Sequence, residues 1–125
     1  MRRILIVDDH REVRKLVDTT LSGSGCEVIQ ADNGASAVEI ARRDQPGVIL
    51  MDAMMPGKLD GYEATRLIKG NPETNGCTII MLTARGQLSD KEEGAKAGAD
   101  YYMIKPFSPL ELLQRVETIF REAES

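Results

Sequence analysis

Five short apolar runs, each followed by a stretch with helical periodicity, constrain the fold of this chain more than any other feature of its sequence. The runs occupy residues 4–7, 28–31, 48–51, 79–82 and 101–104. Short runs that end at polar or turn residues are typical of strands buried on both faces, as in a parallel sheet. The third run ends at Asp52, which places a carboxylate at the C-terminal end of a buried strand.

The stretches between the runs carry apolar residues three or four positions apart, which is typical of amphipathic helices. They cover residues 11–21, 35–43, 62–69 and 109–122. Residues 89–97 lack this pattern, with Ala95 and Ala97 as their only apolar residues, and are predicted to be helical from the signal at their start. Ser89 with Glu92 and Ser108 with Glu111 fit capping boxes at the starts of the last two helices. Five alternations of strand and helix predict an α/β fold with a parallel sheet and right-handed crossovers.

The length of the chain predicts one domain, residues 1–125, with a single core. No internal repeat, low-complexity segment or linker interrupts the sequence. Gly34, Gly61 and Gly98 lie in polar stretches between the elements, and we interpret them as turn or cap glycines.

Composition places the chain among ordinary globular proteins and narrows its partners. Hydrophobic residues make up 42% and charged residues 29%, and no apolar run approaches the roughly 20 residues that span a bilayer. Because the N-terminus lacks a signal-peptide pattern, we expect a cytoplasmic protein without membrane contact. The net charge of −4 argues against direct nucleic-acid binding, so we expect protein partners. Cys26 and Cys77 are isolated, and we interpret them as reduced thiols without a function.

Acidic residues follow two of the predicted strands, since Asp8 and Asp9 come directly after the first. Ligands of open parallel sheets bind at the C-terminal ends of the strands. If strands one and three are neighbours, Asp8, Asp9 and Asp52 converge, and two charges about 4 Å apart repel by about 4 kcal/mol at an effective dielectric of about 20. A raised carboxylate pKa or a bound cation would relieve that repulsion. Carboxylate ligands suit Mg²⁺, with Mn²⁺ as a substitute, and do not suit zinc.

Two further side chains stand at strand ends: Thr83 after the fourth run, and Lys105 after the fifth. Taken singly, such a threonine is usually a helix cap and such a lysine a solvated surface residue. Together with the acids they supply a cation site, a nucleophilic carboxylate, a hydroxyl donor and an ammonium group, which phosphoryl transfer requires. We therefore predict a phosphoryl site built on Asp52. His10 is interpreted as a solvated loop residue.

The sequence resembles the receiver domains of two-component response regulators over its whole length. The matching motifs are Asp8 and Asp9, Asp52 followed by Met55 and Pro56, DGYE at 60–63, Thr83 and Ala84, GADYY at 98–102, and KPF at 105–107. The resemblance implies a flavodoxin-like, doubly wound fold, with a five-stranded parallel sheet in the order 2-1-3-4-5 and helices on both faces. It also implies a phosphorylation-controlled switch of a two-component phosphorelay.

By this resemblance, Asp52 accepts a phosphoryl group from a histidine kinase or a histidine phosphotransfer protein. Asp9 and Asp52, with the backbone carbonyl of Met54, would hold Mg²⁺, and Asp8 would act mainly through water. No enzymatic activity is expected beyond the protein's own phosphorylation and dephosphorylation.

The resemblance also assigns the remaining site residues. Thr83 would bond the phosphoryl oxygens, and Lys105 would pair with them. Tyr102 matches the aromatic residue that turns inward on activation, and the bond between Lys105 and Pro106 matches the family's cis peptide. Phosphorylation would shift the surface of the fourth helix, fifth strand and fifth helix for binding to a downstream protein or an output domain. We expect a monomer, with dimerisation on phosphorylation left open.

The sequence departs from the family pattern in one loop. Residues 57–59 make the loop after the third strand one residue longer than the commonest family spacing, which bears on metal access there. Met54 and Arg85, two positions after the acceptor aspartate and the threonine, are sites at which the family varies. Both would flank the path of the water that hydrolyses the phosphoryl group.

Other functions have different sequence requirements. A flavodoxin-like electron carrier would need phosphate-binding backbone donors in the first loop, where Asp8 and Asp9 would repel the phosphate. The nucleotide-binding patterns GxGxxG and GxxxxGK[ST] do not occur. A Mg²⁺-dependent phosphatase with Asp52 as its nucleophile, and a receiver domain cut from a DNA-binding regulator, stay open as alternatives. A scaffold with an inactive site is disfavoured because every site residue is present.

Overall fold

In the computed structural model, the described residues are 2–84 and 88–124, and they form five strands and five helices in strict alternation. The strands are β1 Arg3–Val7, β2 Glu27–Ala31, β3 Val48–Asp52, β4 Thr78–Ala84 and β5 Tyr101–Lys105. The helices are α1 Arg11–Ser22, α2 Gly34–Asp44, α3 Gly61–Lys69, α4 Leu88–Ala97 and α5 Pro109–Glu124. All ten predicted elements are confirmed, with ends that differ by no more than two residues.

The strands form one parallel sheet in the order β2-β1-β3-β4-β5, which confirms the predicted fold class. β3 lies at the centre, and all five of its residues are buried. Val7 of β1 pairs with Met51 of β3, so the residues that follow these two strands meet at one edge of the sheet. The fold thus brings the predicted acidic residues to the edge where ligands of parallel sheets bind.

Each face of the sheet has its own layer of helices because alternate strand residues point to opposite faces. On one face, strand residues such as Leu5, Ile49 and Met81 pack with α2, α3 and α4. On the other, Ile6, Leu50 and Leu82 pack with α1 and α5. None of the helices in the described ranges is long and apolar enough to cross a membrane.

Side-chain caps fix where several helices begin. Ser108 accepts a hydrogen bond from the Glu111 backbone N–H at 3.0 Å, which confirms the predicted start of α5. Asp60 and Glu63 form a complete capping box at the start of α3, an Asp-x-x-Glu pattern that was not among the predicted caps. This box sets the position of α3 immediately after the β3 loop. The predicted cap at Ser89 depends on a side chain outside the described part of the chain.

Close packing explains two glycines that the sequence suggested as turn or cap residues. A Cβ atom on Gly61 would lie 2.0 Å from the Asp52 carbonyl oxygen, and one on Gly34 would lie 2.5 Å from the Leu59 carbonyl oxygen. Neither glycine has a positive φ, so backbone approach, and not a turn conformation, requires them. The interpretation of Gly34 and Gly61 as turn or cap glycines is therefore wrong. Gly98, with φ of 107°, does follow α4 in a left-handed conformation.

Candidate functional site

The acidic side chains converge at the C-terminal edge of the sheet, as predicted. Asp8 and Asp9 follow β1, and Asp52 ends β3, the neighbouring strand. One ligand atom from each of Asp8, Asp9, His10 and Asp52 lies within 4.8 Å of the others. Asp8 is completely buried and Asp52 is 5% exposed, so two of the three carboxylates are removed from water.

Asp8 divides its two carboxylate oxygens between different partners. Its Oδ2 atom accepts a hydrogen bond from Lys105 Nζ at 2.7 Å. Its Oδ1 atom accepts one from the His10 backbone N–H at 2.8 Å. The Arg14 guanidinium donates to the Asp8 backbone carbonyl at 2.9 Å. Asp8 therefore links β1 both to the end of β5 and to the start of α1.

Asp52 keeps one oxygen without a partner. Its Oδ1 atom lies 3.2 Å from Lys105 Nζ and accepts a weak hydrogen bond from the Met54 backbone N–H at 3.3 Å. Its Oδ2 atom is buried and has no hydrogen-bond partner within the described ranges. Burial, followed by the negative charge of Asp8, raises the pKa of Asp52 to about 6, against the opposing effect of Lys105. The Asp52 carboxyl group therefore loses its proton only close to neutral pH.

Lys105 is the counter-ion of the cluster, as the sequence suggested for an ammonium group facing the acids. Burial alone would lower its pKa, but the hydrogen bond to Asp8 and the charges of Asp52 and Asp8 outweigh burial and raise the pKa above its usual value. The ammonium group therefore stays charged. The peptide bond from Lys105 to Pro106 is cis, as the family resemblance implied.

Thr83 lies near the end of β4 and is 2% exposed. The Ala53 backbone N–H donates to the Leu82 carbonyl at 3.0 Å, so Thr83 comes one residue beyond the point where β4 meets the end of β3. Its position on the strand adjacent to Asp52 agrees with the predicted arrangement. Its bond to a phosphoryl oxygen stays a prediction.

Tyr102 is half-buried in β5, and its ring lies directly against α4. A Cβ atom on Gly94 would lie 2.8 Å from Tyr102 Cε1 and 3.2 Å from its hydroxyl oxygen. The ring can occupy this position only because residue 94 has no side chain. Gly94 therefore contacts the predicted switch residue Tyr102, and no local sequence pattern marks this glycine.

The loop after β3, which includes residues 57–59, contains a left-handed glycine and contacts the start of α2. Gly57 has a φ of 104°, a left-handed conformation that favours glycine. Leu59 then packs against Gly34 at the start of α2. Within this loop the Met54 side chain is 68% exposed, whereas Met55 is buried. The role predicted for Arg85 concerns a residue outside the described ranges.

His10 contributes more to the site than a solvated loop residue would. Its ring is 62% exposed, yet Nδ1 lies 3.0 Å from Asp8 Oδ1 and 3.3 Å from Asp9 Oδ1. The hydrogen bond to Asp8, and then the charges of Asp9 and Asp8, raise the pKa of His10. The signal in the sequence was its position directly after two aspartates that end a strand.

The residues present fit a divalent cation with oxygen ligands. Two carboxylates are buried, and a third is partly exposed. The Asp52 Oδ2 atom is an acceptor that no protein group satisfies among the described residues, and it can serve as a metal ligand. Such oxygens are the ligands that Mg²⁺ and Mn²⁺ prefer. The cluster could therefore hold one of these ions.

The buried charge of Asp52 should make the metal-free protein less stable than the Asp52→Asn variant, which has a neutral amide at this position. Asp52→Asn is expected to raise the free energy of unfolding by about 1–2 kcal/mol at pH 8 with a chelator, since each pKa unit is worth about 1.4 kcal/mol and a buried amide also loses water. The folded pKa of about 6 exceeds the ordinary value of 3.8, so the gain is full above pH 6 and disappears toward pH 4.

Urea denaturation across this pH range measures the difference between Asp52→Asn and the unsubstituted protein. Asp32→Asn, at an exposed position, is the control and should give no comparable gain. A gain that is absent at pH 8, or that grows on acidification, would contradict the explanation.

The amino-acid sequence of this chain is similar to those of known proteins. The sequence model of the response regulator receiver domain matches residues 4–117. The probable transcriptional regulator ycf27 of Porphyra purpurea is 42% identical over 122 residues, covering 98% of this chain and 49% of that protein. The phosphate regulon transcriptional regulatory protein PhoB of Klebsiella pneumoniae is 38% identical over 120 residues, covering 96% and 52%. The chain thus spans about half the length of the curated relatives it matches.

Two solved structures are similar over nearly the whole chain. The chemotaxis protein CheY4 of Vibrio cholerae has a TM-score of 0.88 and 32% identity, covering 95% of this chain and 98% of that chain. The receiver domain of the sensor histidine kinase PA1611 of Pseudomonas aeruginosa has a TM-score of 0.85 and 34% identity, covering 94% and 95%. That receiver domain has a magnesium ion coordinated in its active site cleft.

Proposed function

The chain belongs to the response regulator receiver family, the phosphorylation-controlled switches of two-component signalling, and we propose that Asp52 is its phosphoryl acceptor. The observation that carries this proposal is the Asp52 Oδ2 atom, which is buried and has no protein partner among the described residues. A buried carboxylate oxygen without a partner is costly, and a role as nucleophile or ligand accounts for it. The other oxygen is already held by Lys105 and Met54.

The transfer moves a phosphoryl group from a phosphohistidine of the donor to Asp52. The bond between nitrogen and phosphorus breaks, a bond between an Asp52 carboxylate oxygen and phosphorus forms, and the leaving nitrogen keeps the electron pair. Asp52 has to be ionised to attack, and its pKa of about 6 allows this at neutral pH. Lys105 then exchanges its contacts with Asp8 and Asp52 for the phosphoryl oxygens, and the Thr83 hydroxyl donates to them.

Asp9, Asp52 and the backbone carbonyl of Met54 are the groups that would hold Mg²⁺, with Asp8 acting through water. The bound ion would neutralise negative charge that develops on the phosphoryl oxygens. The oxygen-rich cluster supports this assignment, as does the magnesium ion in the similar PA1611 receiver domain. Mn²⁺ is the expected substitute.

Receiver domains are signalling proteins, and their partners are histidine kinases and output domains. For this chain we propose a histidine kinase or a histidine phosphotransfer protein as the donor. The relatives ycf27 and PhoB are transcriptional regulators about twice as long, which supports a DNA-binding output domain in a longer protein. A separate downstream protein is the alternative, since CheY4 is similar over 98% of its own chain. Cytoplasmic location and a monomeric resting state stay predictions from the sequence.

The surface of α4, β5 and α5 is the proposed output surface. Tyr102 in β5 contacts Gly94 in α4, so movement of the ring changes the contact between these two elements. Phosphorylation adds about −1.5 to −2 charges and three acceptor oxygens, which would draw Thr83 toward Asp52 and alter the space beside Tyr102. Moving a population from 1:99 to 99:1 takes about 5.5 kcal/mol, more than one hydrogen bond usually provides, so several contacts must change together.

Intact mass spectrometry after incubation with acetyl phosphate and Mg²⁺ tests the proposed acceptor. The unsubstituted protein should gain the mass of one phosphoryl group, and Asp52→Asn should gain none. The same mass increase in Asp52→Asn would refute the assignment. Repeated turnover of a generic phosphate ester without lasting modification would favour the alternative of a Mg²⁺-dependent phosphatase.

The lifetime of the phosphoryl group should depend on the residue two positions after Asp52. Met54 is mostly exposed beside the site, and its thioether is too weak an acceptor to orient an attacking water. Met54→Asn is therefore expected to accelerate dephosphorylation by more than about threefold, a barrier change of about 0.7 kcal/mol. Arg85→Ala should act in the same direction if Arg85 covers the phosphoryl oxygens.

The decay rate of the phosphorylated protein, measured without kinase or phosphatase, tests whether Met54 and Arg85 slow hydrolysis. Rates for both single variants and the double variant that stay within about threefold of the unsubstituted rate would rule out shielding. Leu67→Asn, an exposed apolar residue on α3, is the matched control for a general effect of an added amide.

A further inference from the structure

The only histidine in the sequence, His10, lies within the acidic cluster and has no role in phosphoryl transfer as proposed above. Its Nδ1 atom is 3.0 Å from Asp8 Oδ1 and 3.3 Å from Asp9 Oδ1. Ligands about 2.1 Å from an octahedral ion lie about 3.0 Å apart at adjacent corners and about 4.2 Å apart at opposite ones. The distance from Nδ1 to Asp9 Oδ1 is therefore close to that between adjacent positions around one ion.

The backbone holds His10 at the cluster, and the side chain is not used elsewhere. The His10 N–H donates to Asp8 Oδ1 at 2.8 Å, which ties the residue to the end of β1. His10 is the N-cap residue of α1, yet its side chain makes no capping hydrogen bond. The ring can thus turn toward an ion without a loss to the helix.

A second observation points to a cation at the same place. Asp52 is 5% exposed, and its Oδ2 atom has no hydrogen-bond partner in the described part of the chain. Lys105 approaches Asp8 Oδ2 and Asp52 Oδ1, and the His10 backbone N–H donates to Asp8 Oδ1, so Asp52 Oδ2 stays available. This oxygen remains for an ion between Asp9, His10 and Asp52.

An imidazole nitrogen changes which ions such a site prefers. Mg²⁺ takes oxygen ligands and usually keeps several waters, whereas imidazole suits nickel, copper, zinc and iron. We propose that His10 is a direct metal ligand through Nδ1, so that the site binds a divalent transition ion such as Ni²⁺ more tightly than Mg²⁺. This inference rests on the proposed metal site of Asp9 and Asp52, and it is independent of phosphoryl transfer.

Isothermal titration calorimetry with NiCl₂ and with MgCl₂ tests the proposal on the full chain. The protein has to be free of a polyhistidine tag, because the tag would itself bind Ni²⁺ and mask the effect of the one histidine in the sequence. The thiols of Cys26 and Cys77 are buried and should not compete. Loss of a residue that hydrogen-bonds to a metal ligand lowers metal affinity about 10–100-fold. Loss of a direct ligand should cost at least as much, so His10→Ala should lower Ni²⁺ affinity at least about tenfold. Its Mg²⁺ affinity should change by less than about threefold.

Two further variants separate ligation from a structural effect. His10→Gln keeps a polar side chain beside Asp8 but has no imidazole, so it should lose Ni²⁺ affinity as His10→Ala does. Asp9→Asn should weaken both ions. In long-range ¹H–¹⁵N spectra, the Nδ1 signal of His10 should shift on addition of Zn²⁺ and stay in place on addition of Mg²⁺.

The competing explanation is that His10 only donates a hydrogen bond from Nδ1 to Asp8, which would leave that nitrogen protonated and unable to bind a metal. Unchanged Ni²⁺ affinity in His10→Ala, or an equal loss for both ions, would overturn the proposal. If Mg²⁺ binds and its binding needs Asp9, but His10→Ala leaves Ni²⁺ affinity unchanged, only the proposal for His10 is refuted. Failure of Mg²⁺ to bind at all would instead refute the proposed magnesium site.

Discussion

Replacing Gly61 by alanine is expected to destabilise the protein by about 3 kcal/mol, the upper end of the usual range for overpacking. The first residue of α3 lies directly against the end of β3, and its N–H donates to the Ala53 carbonyl at 3.1 Å. A Cβ atom there would lie 2.0 Å from the Asp52 carbonyl oxygen and 2.9 Å from the Ala53 Cα atom. Both neighbours are backbone atoms, so no side-chain rotation can relieve the clash.

Gly76→Ala is the matched control, because a Cβ atom on Gly76 would have no neighbour within 4 Å. This substitution should leave the free energy of unfolding unchanged or raise it by up to about 1 kcal/mol, since alanine restricts the unfolded chain. Urea denaturation of both variants gives the comparison. Equal stabilities for the two variants would show that the contact between α3 and β3 is not rigid. Because the Asp52 carbonyl is part of this contact, Gly61→Ala should also slow phosphorylation by acetyl phosphate.

Saturating Mg²⁺ is expected to stabilise the folded protein by about 2.7 kcal/mol when its concentration reaches 100 times the dissociation constant. The ion binds only the assembled site, because the unfolded chain does not hold Asp9 and Asp52 together. Lys105 compensates only part of the charge, since one ammonium group faces three carboxylates. For a domain of this size the increase corresponds to a rise in melting temperature of about 10 °C.

Thermal unfolding monitored by circular dichroism, with and without millimolar MgCl₂, measures this effect. The double variant with Asp9→Asn and Asp52→Asn keeps the shape of the site and removes two charges, so its melting temperature should not respond to Mg²⁺. A similar rise in the double variant would indicate a nonspecific salt effect. No rise in the unsubstituted protein would remove the basis for the proposed magnesium site.

The alternation of buried runs and amphipathic stretches predicted a parallel sheet whose strands share one C-terminal edge. The meeting of Asp8, Asp9 and Asp52 also requires the first and third strands to be neighbours. The family resemblance, and not the alternation, implied that strand order. The cis peptide at Lys105 followed from the family resemblance and not from the pattern of residues.

The sequence did not predict features that depend on distances between elements. Gly61 and Gly34 were assigned to turns or caps, although each is needed because a Cβ atom there would clash with another backbone segment. The position of His10 beside Asp8 depends on how the chain turns between β1 and α1. Periodicity describes which face a residue lies on and contains no information about such close approaches.

The contact between Tyr102 and Gly94 makes the proposed switch sensitive to mutation at residue 94. A single methyl group at residue 94 would displace the ring, although α4 contributes none of the carboxylate, hydroxyl or ammonium groups assigned to phosphoryl transfer. The resting balance of the two conformations can therefore be altered by mutation at a distance from the chemistry. A lineage could adjust the threshold of its signal at this residue and leave the rate of phosphorylation as it was.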